Sequence, residues 1–311
     1  MDEITTTAAG RNRWQHIGLL IVTALVAALT GNMTGTANAE TDDSHEHMVH
    51  LPGGDIHVVA DGTPGARALV LLHGLGASTA YWDPVLPTLW DQYVVRIDLL
   101  GHGKSDKPDS GYSTSEQASR VGAVLDRLGV RRAIVVGHSS GGYVATSLAE
   151  QRHELVSAIM LIDSGPRLDA VTDNGPVGNL LFVPAIGRPL WPLLPDVVLR
   201  QAMSSAFTRD VQIPDQFVAD LRGMTYRSLT ATSAASDDYL RERTETDRLI
   251  DLGVPAMVLY GSQDKRWQPD SFEDYRRVPG IRIESLDCGH TPMVEDPGST
   301  GALISDFAGQ H

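Results

Sequence analysis

The sequence predicts an α/β fold in which helices cover both faces of a mostly parallel β-sheet. Short apolar runs typical of buried strands, such as 133–136 and 254–260, alternate along the chain with helical stretches. The stretch 115–128 has one apolar face, formed by Val121, Val124, Leu125 and Leu128. Because parallel strands are joined by crossover connections that are usually helices, this alternation favours a parallel sheet covered on both sides.

The order of the predicted elements along the chain is consistent with such a sheet. Residues 48–51 and 55–60 predict an opening hairpin, which turns at Pro52-Gly53-Gly54. Further buried strands are predicted at 68–72, 133–136, 158–162 and 254–260, and a strand that alternates with period two is predicted at 281–286. One long segment, from Ser164 to about Leu249, contains no clear strand run. Its helical pieces are interrupted by Pro166, Pro176, Pro184, Pro189, Pro192, Pro195 and Pro214.

A nucleophile motif lies between a predicted strand and a predicted helix. The pentapeptide Gly137-His138-Ser139-Ser140-Gly141 separates the apolar run 133–136 from the helical stretch 142–149. A serine on a sharp strand-to-helix turn projects out of the sheet, and the flanking glycines allow that turn. Ser139 is therefore the candidate nucleophile.

An acid and a base follow in the chain order that such a serine requires. Asp264 follows the strand at 254–260, and His290 follows the strand at 281–286. Parallel strands bring both residues to the edge that carries Ser139, so His290 is the candidate general base and Asp264 its orienting acid. Asp163, at the end of 158–162, is the alternative acid. Asp264 could instead cap a helix that begins near Gln268, and His290 could be a structural histidine.

These segments resemble the α/β-hydrolase superfamily over roughly residues 48 to 308. The motifs that carry the resemblance, besides the pentapeptide around Ser139, are His73-Gly74-Leu75-Gly76, the turn at 98–106, Gly261-Ser262-Gln263-Asp264 and Gly289-His290. Leu100 stands where the family more often has proline, in a structural turn. The resemblance implies about eight strands. It divides the chain into a core at 40–163 and 250–311 and a helical cap at 164–249.

The resemblance also implies an oxyanion hole built from the backbone N–H groups of Leu75 and Ser140. Two such donors stabilise the tetrahedral oxyanion that forms when a serine attacks a carbonyl. These are main-chain roles, so the side chains at the two positions carry no information. No metal and no organic cofactor is implied.

The first half of the predicted cap is rich in large apolar side chains. They include Phe182 and Trp191, in a stretch between Leu180 and Leu194. Two interpretations stay open: the side chains line an apolar pocket for an acyl or alcohol group, or they belong to the core.

The predicted function is that of a serine hydrolase that cleaves a small-molecule carboxylic ester with an apolar moiety. Hydrolysis of a carbon–carbon bond and cofactor-free perhydrolysis use the same triad and remain enzyme alternatives. The non-enzyme alternative is a binding module of the cell envelope, which would have no need of a triad together with an oxyanion loop. An aspartate nucleophile, typical of dehalogenases and epoxide hydrolases, is replaced here by Ser139.

Composition excludes several classes of partner and site. The 311 residues carry a net charge of −14, and no arginine-rich run is present, so nucleic-acid binding is not expected. His45, His47 and His50 cluster without a cysteine or a spaced carboxylate set, so no metal site is predicted there. The single cysteine, Cys288, is predicted to be a packing residue rather than a nucleophile.

The N-terminal segment predicts export. Arg11 and Arg13 precede the mostly apolar stretch 17–30, and Ala37-Asn38-Ala39 forms a small-residue cleavage site. Residues 1–39 are therefore predicted to be a signal peptide that is cleaved before Glu40, leaving a secreted or envelope-associated protein. Stable membrane insertion after cleavage is not expected, since the apolar stretch is short for a span. An uncleaved anchor is the alternative.

Overall fold

A computed structural model describes residues 45–65, 67–172, 179 and 181–311. The predicted signal peptide and its cleavage site before Glu40 lie outside the described residues. The described part of the chain contains eight strands, which are His45–Val49 (β1), Ile56–Asp61 (β2), Arg67–Leu72 (β3), Val94–Ile97 (β4), Arg132–His138 (β5), Val156–Ile162 (β6), Ala256–Gly261 (β7) and Arg282–Leu286 (β8).

The strands form one sheet in the order β1-β2-β4-β3-β5-β6-β7-β8. β1 and β2 form the predicted antiparallel hairpin, with Val49 opposite Ile56, and β2 pairs antiparallel with β4. The other neighbours, from β4 across to β8, all pair in parallel. The predicted mostly parallel sheet of about eight strands is confirmed.

Nine α-helices accompany the sheet in the described residues. They are Thr114–Arg127 (α1), Ser140–Gln151 (α2), Pro184–Leu190 (α3), Asp196–Ser204 (α4), Asp215–Gly223 (α5), Tyr226–Glu242 (α6), Glu245–Leu252 (α7), Pro292–Glu295 (α8) and Pro297–Gln310 (α9). Shorter 3₁₀ turns of helix cover Thr79–Thr88, Leu168–Ala170, Trp191–Leu193 and Pro269–Arg277. The start of α1 is fixed by a capping box between Ser113 and Glu116, which satisfies two backbone donors.

Apolar side chains on both faces of the sheet are buried. Successive residues of β5 point to opposite faces, so Val135 packs with Leu148 of α2 while Val136 packs with Trp82 and Phe307. Both valines have no exposed surface. The near-continuous apolar run of β5 follows from this two-sided burial.

The described residues of the predicted cap, between β6 and β7, contain helices and no strand, apart from a single bridge between Val171 and Trp267. Helices α3 to α6 and most of α7 fall within 164–249. The cap has an apolar cluster of its own, which includes Trp191, Leu199 and Phe217. In the described part of the chain, no helix has the length and apolar character needed to cross a membrane.

Candidate active site

Five neighbouring strands end at one edge of the sheet, and each is followed by a side chain that can take part in chemistry. His73 follows β3, Ser139 follows β5, Asp163 follows β6, Asp264 follows β7 and His290 follows β8. In α/β sheets, sites form at the carboxyl ends of the strands because parallel pairing aligns those ends. The order of the strands therefore brings together residues that are far apart in sequence.

Ser139 occupies a strained turn between β5 and α2. Its φ of 51° and ψ of −123° lie in a region that residues with a Cβ rarely adopt. Two hydrogen bonds to the neighbouring strand β6 and the segment after it hold the turn. The Ser139 N–H donates to the Ile162 carbonyl at 2.8 Å, and the Ser164 hydroxyl donates to the Ser139 carbonyl at 2.8 Å. Backbone strain of this kind is what presents the side chain of a nucleophile elbow.

His290 and Asp264 are hydrogen-bonded to each other. The distance from His290 Nδ1 to Asp264 Oδ2 is 2.8 Å, and both residues are buried. A carboxylate oxygen accepts only, so Nδ1 is the donor of this bond, and in the neutral form of the ring Nε2 has the lone pair. This is the tautomer that a general base needs.

The second carboxylate oxygen of Asp264 also accepts hydrogen bonds. Asp264 Oδ1 accepts the Arg266 N–H at 2.6 Å and the Trp267 N–H at 3.4 Å. Asp264 thus holds the turn that follows β7 while it also bonds to His290. It does not cap the segment Pro269–Arg277, whose N-cap is Gln268 and has no side-chain cap bond. Burial alone would raise the pKa of Asp264, but the neighbouring His290 and the hydrogen bonds to this carboxyl keep it below its ordinary value.

The predicted oxyanion loop is fixed through the peptide that joins Gly74 to Leu75. The Gly74 carbonyl accepts a hydrogen bond from His73 Nδ1 at 2.8 Å and another from the Ala77 N–H at 3.3 Å. His73 Nε2 in turn accepts the Leu99 N–H at 3.0 Å. Because a trans peptide is planar, holding the Gly74 carbonyl also sets the direction of the Leu75 N–H.

This loop lies directly against Ser139. A Cβ added at Gly74 would stand 3.0 Å from the Ser139 Cβ, a tight contact that glycine avoids. Ser140 is the first residue of α2, and its N–H therefore has no acceptor within the helix. The two N–H groups predicted to form the oxyanion hole thus belong to segments that meet at Ser139.

Three hydrogen bonds that hold the segment around His290 could not be identified from the sequence. His138 Nε2 donates to the His290 carbonyl at 2.8 Å, and burial lowers the pKa of His138 to about 3, so its ring is neutral. Glu295 Oε1 accepts the Gly289 N–H at 3.0 Å, and Glu295 Oε2 accepts the Thr208 N–H at 2.8 Å. Glu295 thereby ties the base loop to the cap. Only the tertiary fold makes these pairings visible.

The predicted cap residues have different surroundings. Trp191 is buried in the cap cluster and donates its indole N–H to the Met224 carbonyl at 2.8 Å. Phe182 is partly buried. The cap cluster also contains Ala77 and Tyr81, and Leu75 packs against it. Apolar cap side chains therefore reach the oxyanion loop itself.

Cys288 and the N-terminal histidines lie outside the triad. Burial raises the pKa of the Cys288 thiol to about 12, so it is no thiolate nucleophile near neutral pH. His50 Nδ1 lies 2.6 Å from Asp55 Oδ2 at the surface. Among the described residues, one group of side chains has possible metal-ligand atoms that all lie within 4.8 Å of one another. It consists of Asp163, Asp264 and His290. Within that group, Asp264 Oδ2 and His290 Nδ1 are hydrogen-bonded to each other.

Comparison with known proteins gives the family. The model of the alpha/beta hydrolase family matches residues 69–300. A Bacillus subtilis (strain 168) protein named "Putative 2-succinyl-6-hydroxy-2,4-cyclohexadiene-1-carboxylate synthase" is 30% identical over 275 residues, which are 81% of this chain and 94% of that protein. The soluble epoxide hydrolase of Corynebacterium sp. (strain C12) is 33% identical over 156 residues, covering 49% of this chain and 54% of that enzyme.

Solved structures agree. The epoxide hydrolase CorEH has a TM-score of 0.70 at 25% identity and covers 86% of this chain and 99% of its own. A membrane phospholipase A, described as a bacterial virulence factor, has a TM-score of 0.69 at 25% identity and covers 96% and 98%. With the matched family model, the eight-stranded sheet and the serine elbow at its carboxyl edge, the chain belongs to the alpha/beta hydrolase family.

Proposed function

We propose that this hydrolase is a secreted serine esterase that cleaves a small carboxylic ester with an apolar moiety. The observation that carries the proposal is the hydrogen bond of 2.8 Å between His290 Nδ1 and Asp264, at the sheet edge where Ser139 sits on its strained turn. A serine hydroxyl is a weak nucleophile near neutral pH unless an adjacent base removes its proton. His290, in the tautomer that Asp264 imposes, has the lone pair for that role.

The reaction proceeds in two halves. Ser139 Oγ attacks the ester carbonyl while His290 Nε2 takes the hydroxyl proton. The resulting oxyanion accepts hydrogen bonds from the Leu75 and Ser140 N–H groups. Collapse of the tetrahedral intermediate expels the alcohol, which leaves with the proton from His290, and the acyl group stays on Ser139. Water then attacks the acyl-enzyme with His290 again as base, which releases the carboxylic acid and restores Ser139.

Chemistry at position 139 favours an ester over an epoxide substrate. Enzymes that open epoxides in this fold use an aspartate nucleophile, and this chain has Ser139 at the elbow. The likeness to a protein named as a phospholipase supports an ester as well.

The apolar part of the substrate is assigned to the cap. Leu75, whose N–H serves the oxyanion hole, packs against the cluster that holds Trp191 and Phe217. With the ester carbonyl in the oxyanion hole, an apolar chain attached to it would extend past these side chains. Each CH₂ buried there stabilises the complex by about 0.8 kcal/mol, or about fourfold in kcat/KM per carbon.

Replacement of Trp191 by alanine is expected to change the preferred acyl length. p-Nitrophenyl esters from acetyl to decanoyl are assayed, and the ratio of kcat/KM between long and acetyl esters is compared, because this ratio does not depend on the fraction of folded enzyme. Trp191→Ala should lower the ratio by about tenfold, whereas Trp90→Ala, at a side chain 82% exposed outside the cap, should leave it unchanged. An unchanged ratio in Trp191→Ala would assign this residue to packing alone.

Export is the second part of the proposal. The basic residues before the apolar stretch 17–30 and the small residues at Ala37-Asn38-Ala39 support removal of residues 1–39. Mass spectrometry of protein recovered from the culture fluid or envelope of the native host should give an N-terminus at Glu40. A chain that retains residues 1–39 in the membrane fraction would instead support an uncleaved anchor.

A further inference from the structure

Asp163 has an unusual position beneath the proposed triad. It follows β6, has no exposed surface, and has a φ of 47°. Among the described residues, Ser139 is the one other non-glycine residue with a positive φ. Aspartate tolerates this conformation better than most residues, but glycine would adopt it at lower cost. The presence of aspartate rather than glycine at this position therefore needs a separate explanation.

The carboxyl of Asp163 has one satisfied oxygen and one unsatisfied oxygen. Oδ1 accepts the Gly261 N–H at 2.9 Å, at the end of β7. Oδ2 is buried and has no donor among the described residues. One ligand atom each from Asp163, Asp264 and His290 lie within 4.8 Å of one another. Two ionised carboxylates accept only, so Asp163 and Asp264 can share a hydrogen bond only when one of them carries a proton.

We propose that Asp163 is protonated and donates its Oδ2–H to the Asp264 carboxylate, which makes it a positioning residue for the proposed triad. Asp264 would then receive hydrogen bonds from three sides: from Asp163, from the Arg266 N–H and from His290 Nδ1. These donors hold the carboxylate plane in the direction that aims His290. The consequence for catalysis rests on the proposed serine-hydrolase function, but the location of the proton does not.

The proton belongs on Asp163 because the two carboxyls differ in their donors. Asp264 accepts from two backbone N–H groups and an imidazole N–H, all of which favour its charged form. Asp163 accepts from a single backbone N–H and is completely buried. Burial and the neighbouring Asp264 charge raise the pKa of Asp163 well above its ordinary value, and the more distant Glu295 acts in the same direction.

Infrared spectroscopy of the full chain with ¹³C-labelled aspartate tests the proton without any substrate. The difference spectrum between wild type and Asp163→Asn at neutral pH should contain the C=O stretch of a protonated, hydrogen-bonded carboxyl, shifted by the label and by D₂O. Asp126→Asn is the control, because Asp126 is bonded to Arg152 at the surface and its pKa is lowered, so only a carboxylate band should disappear. Absence of the protonated band in the Asp163 difference spectrum would overturn the proposal.

Kinetics test the positioning role. Asparagine places an N–H donor where the carboxyl proton lies and an acceptor for Gly261, so Asp163→Asn should keep kcat within about threefold of wild type. Asp163→Ala removes the donor and should lower kcat by at least about tenfold, with KM within about twofold, since a hydrogen bond to a charged group is lost. Equal activity of the two variants would contradict the proposal. If the wild-type protein shows the infrared band but cleaves no ester, the proposed function is rejected, while the assignment of the proton to Asp163 stands.

Discussion

Replacement of Ser139 by alanine is expected to lower kcat for ester hydrolysis by about 10⁶-fold, to the limit of detection. Alanine removes the only atom that forms the acyl-enzyme, whereas the Leu75 and Ser140 N–H groups and the bond between His290 and Asp264 remain. The loss should therefore fall on kcat, and KM should change little. The measurement is initial-rate kinetics with a p-nitrophenyl ester.

Ser157→Ala provides the matched control for that loss. Ser157 lies near the start of β6, at the end of the sheet opposite the site, and donates to the Ala133 carbonyl at 3.2 Å. Its replacement removes one hydroxyl from the same sheet without touching the elbow, so kcat should stay within about twofold of wild type. Turnover in Ser139→Ala that equals the turnover in Ser157→Ala would exclude Ser139 as the nucleophile.

Replacement of Asp264 by asparagine is expected to lower kcat by about 10⁴-fold. The amide can donate to His290 Nδ1, which then carries no proton and leaves the proton on Nε2, where it blocks the transfer from Ser139. The positive charge that develops on His290 during attack also loses its carboxylate partner. Folding should be preserved, because the amide keeps the size of the side chain and its oxygen can still accept the Arg266 N–H.

Two neighbouring carboxyls serve as controls for Asp264. Asp287 lies on the loop that carries His290, is exposed, and accepts a hydrogen bond from Gln263, so Asp287→Asn should have almost wild-type kinetics. The kcat of Asp163→Asn should also be far higher than the kcat of Asp264→Asn. If Asp163→Asn instead showed the larger loss, the acid that orients His290 would be Asp163, at the end of β6.

Much of the architecture is visible in the sequence because burial on both faces imposes a simple pattern. Strands such as β5 and β6 are covered on both sides, so they appear as apolar runs between polar segments. Ser139 and Asp264 can be picked out as candidates from the same pattern, since each follows such a run, whereas His290 follows the partly exposed edge strand β8. The predicted strand at 133–136 became β5 at Arg132–His138, and only its ends differ from the prediction.

Contacts between distant segments could not be predicted in this way. Glu295 is one acidic residue in a short helix, and nothing in its local sequence indicates that it bonds to both Gly289 and Thr208. Asp163 appears in the sequence as a rival of Asp264. The pairing of β6 with β7 places the two carboxyls side by side, so the choice between them becomes a question of which one holds a proton. The role of Trp191 as a pocket residue stays a prediction, and the sequence gives no sign that its indole N–H donates to the Met224 carbonyl.

Covalent labelling tests the central claim most directly. The mature protein is incubated with a fluorophosphonate, and the modified residue is located by mass spectrometry of the digested chain. One adduct is expected, on Ser139, together with loss of esterase activity in proportion to labelling. Ser139→Ala should remain unlabelled, and Ser157→Ala should be labelled like wild type. An adduct that persists in Ser139→Ala, or esterase activity that survives complete labelling of Ser139, would contradict the assignment of Ser139 as the nucleophile.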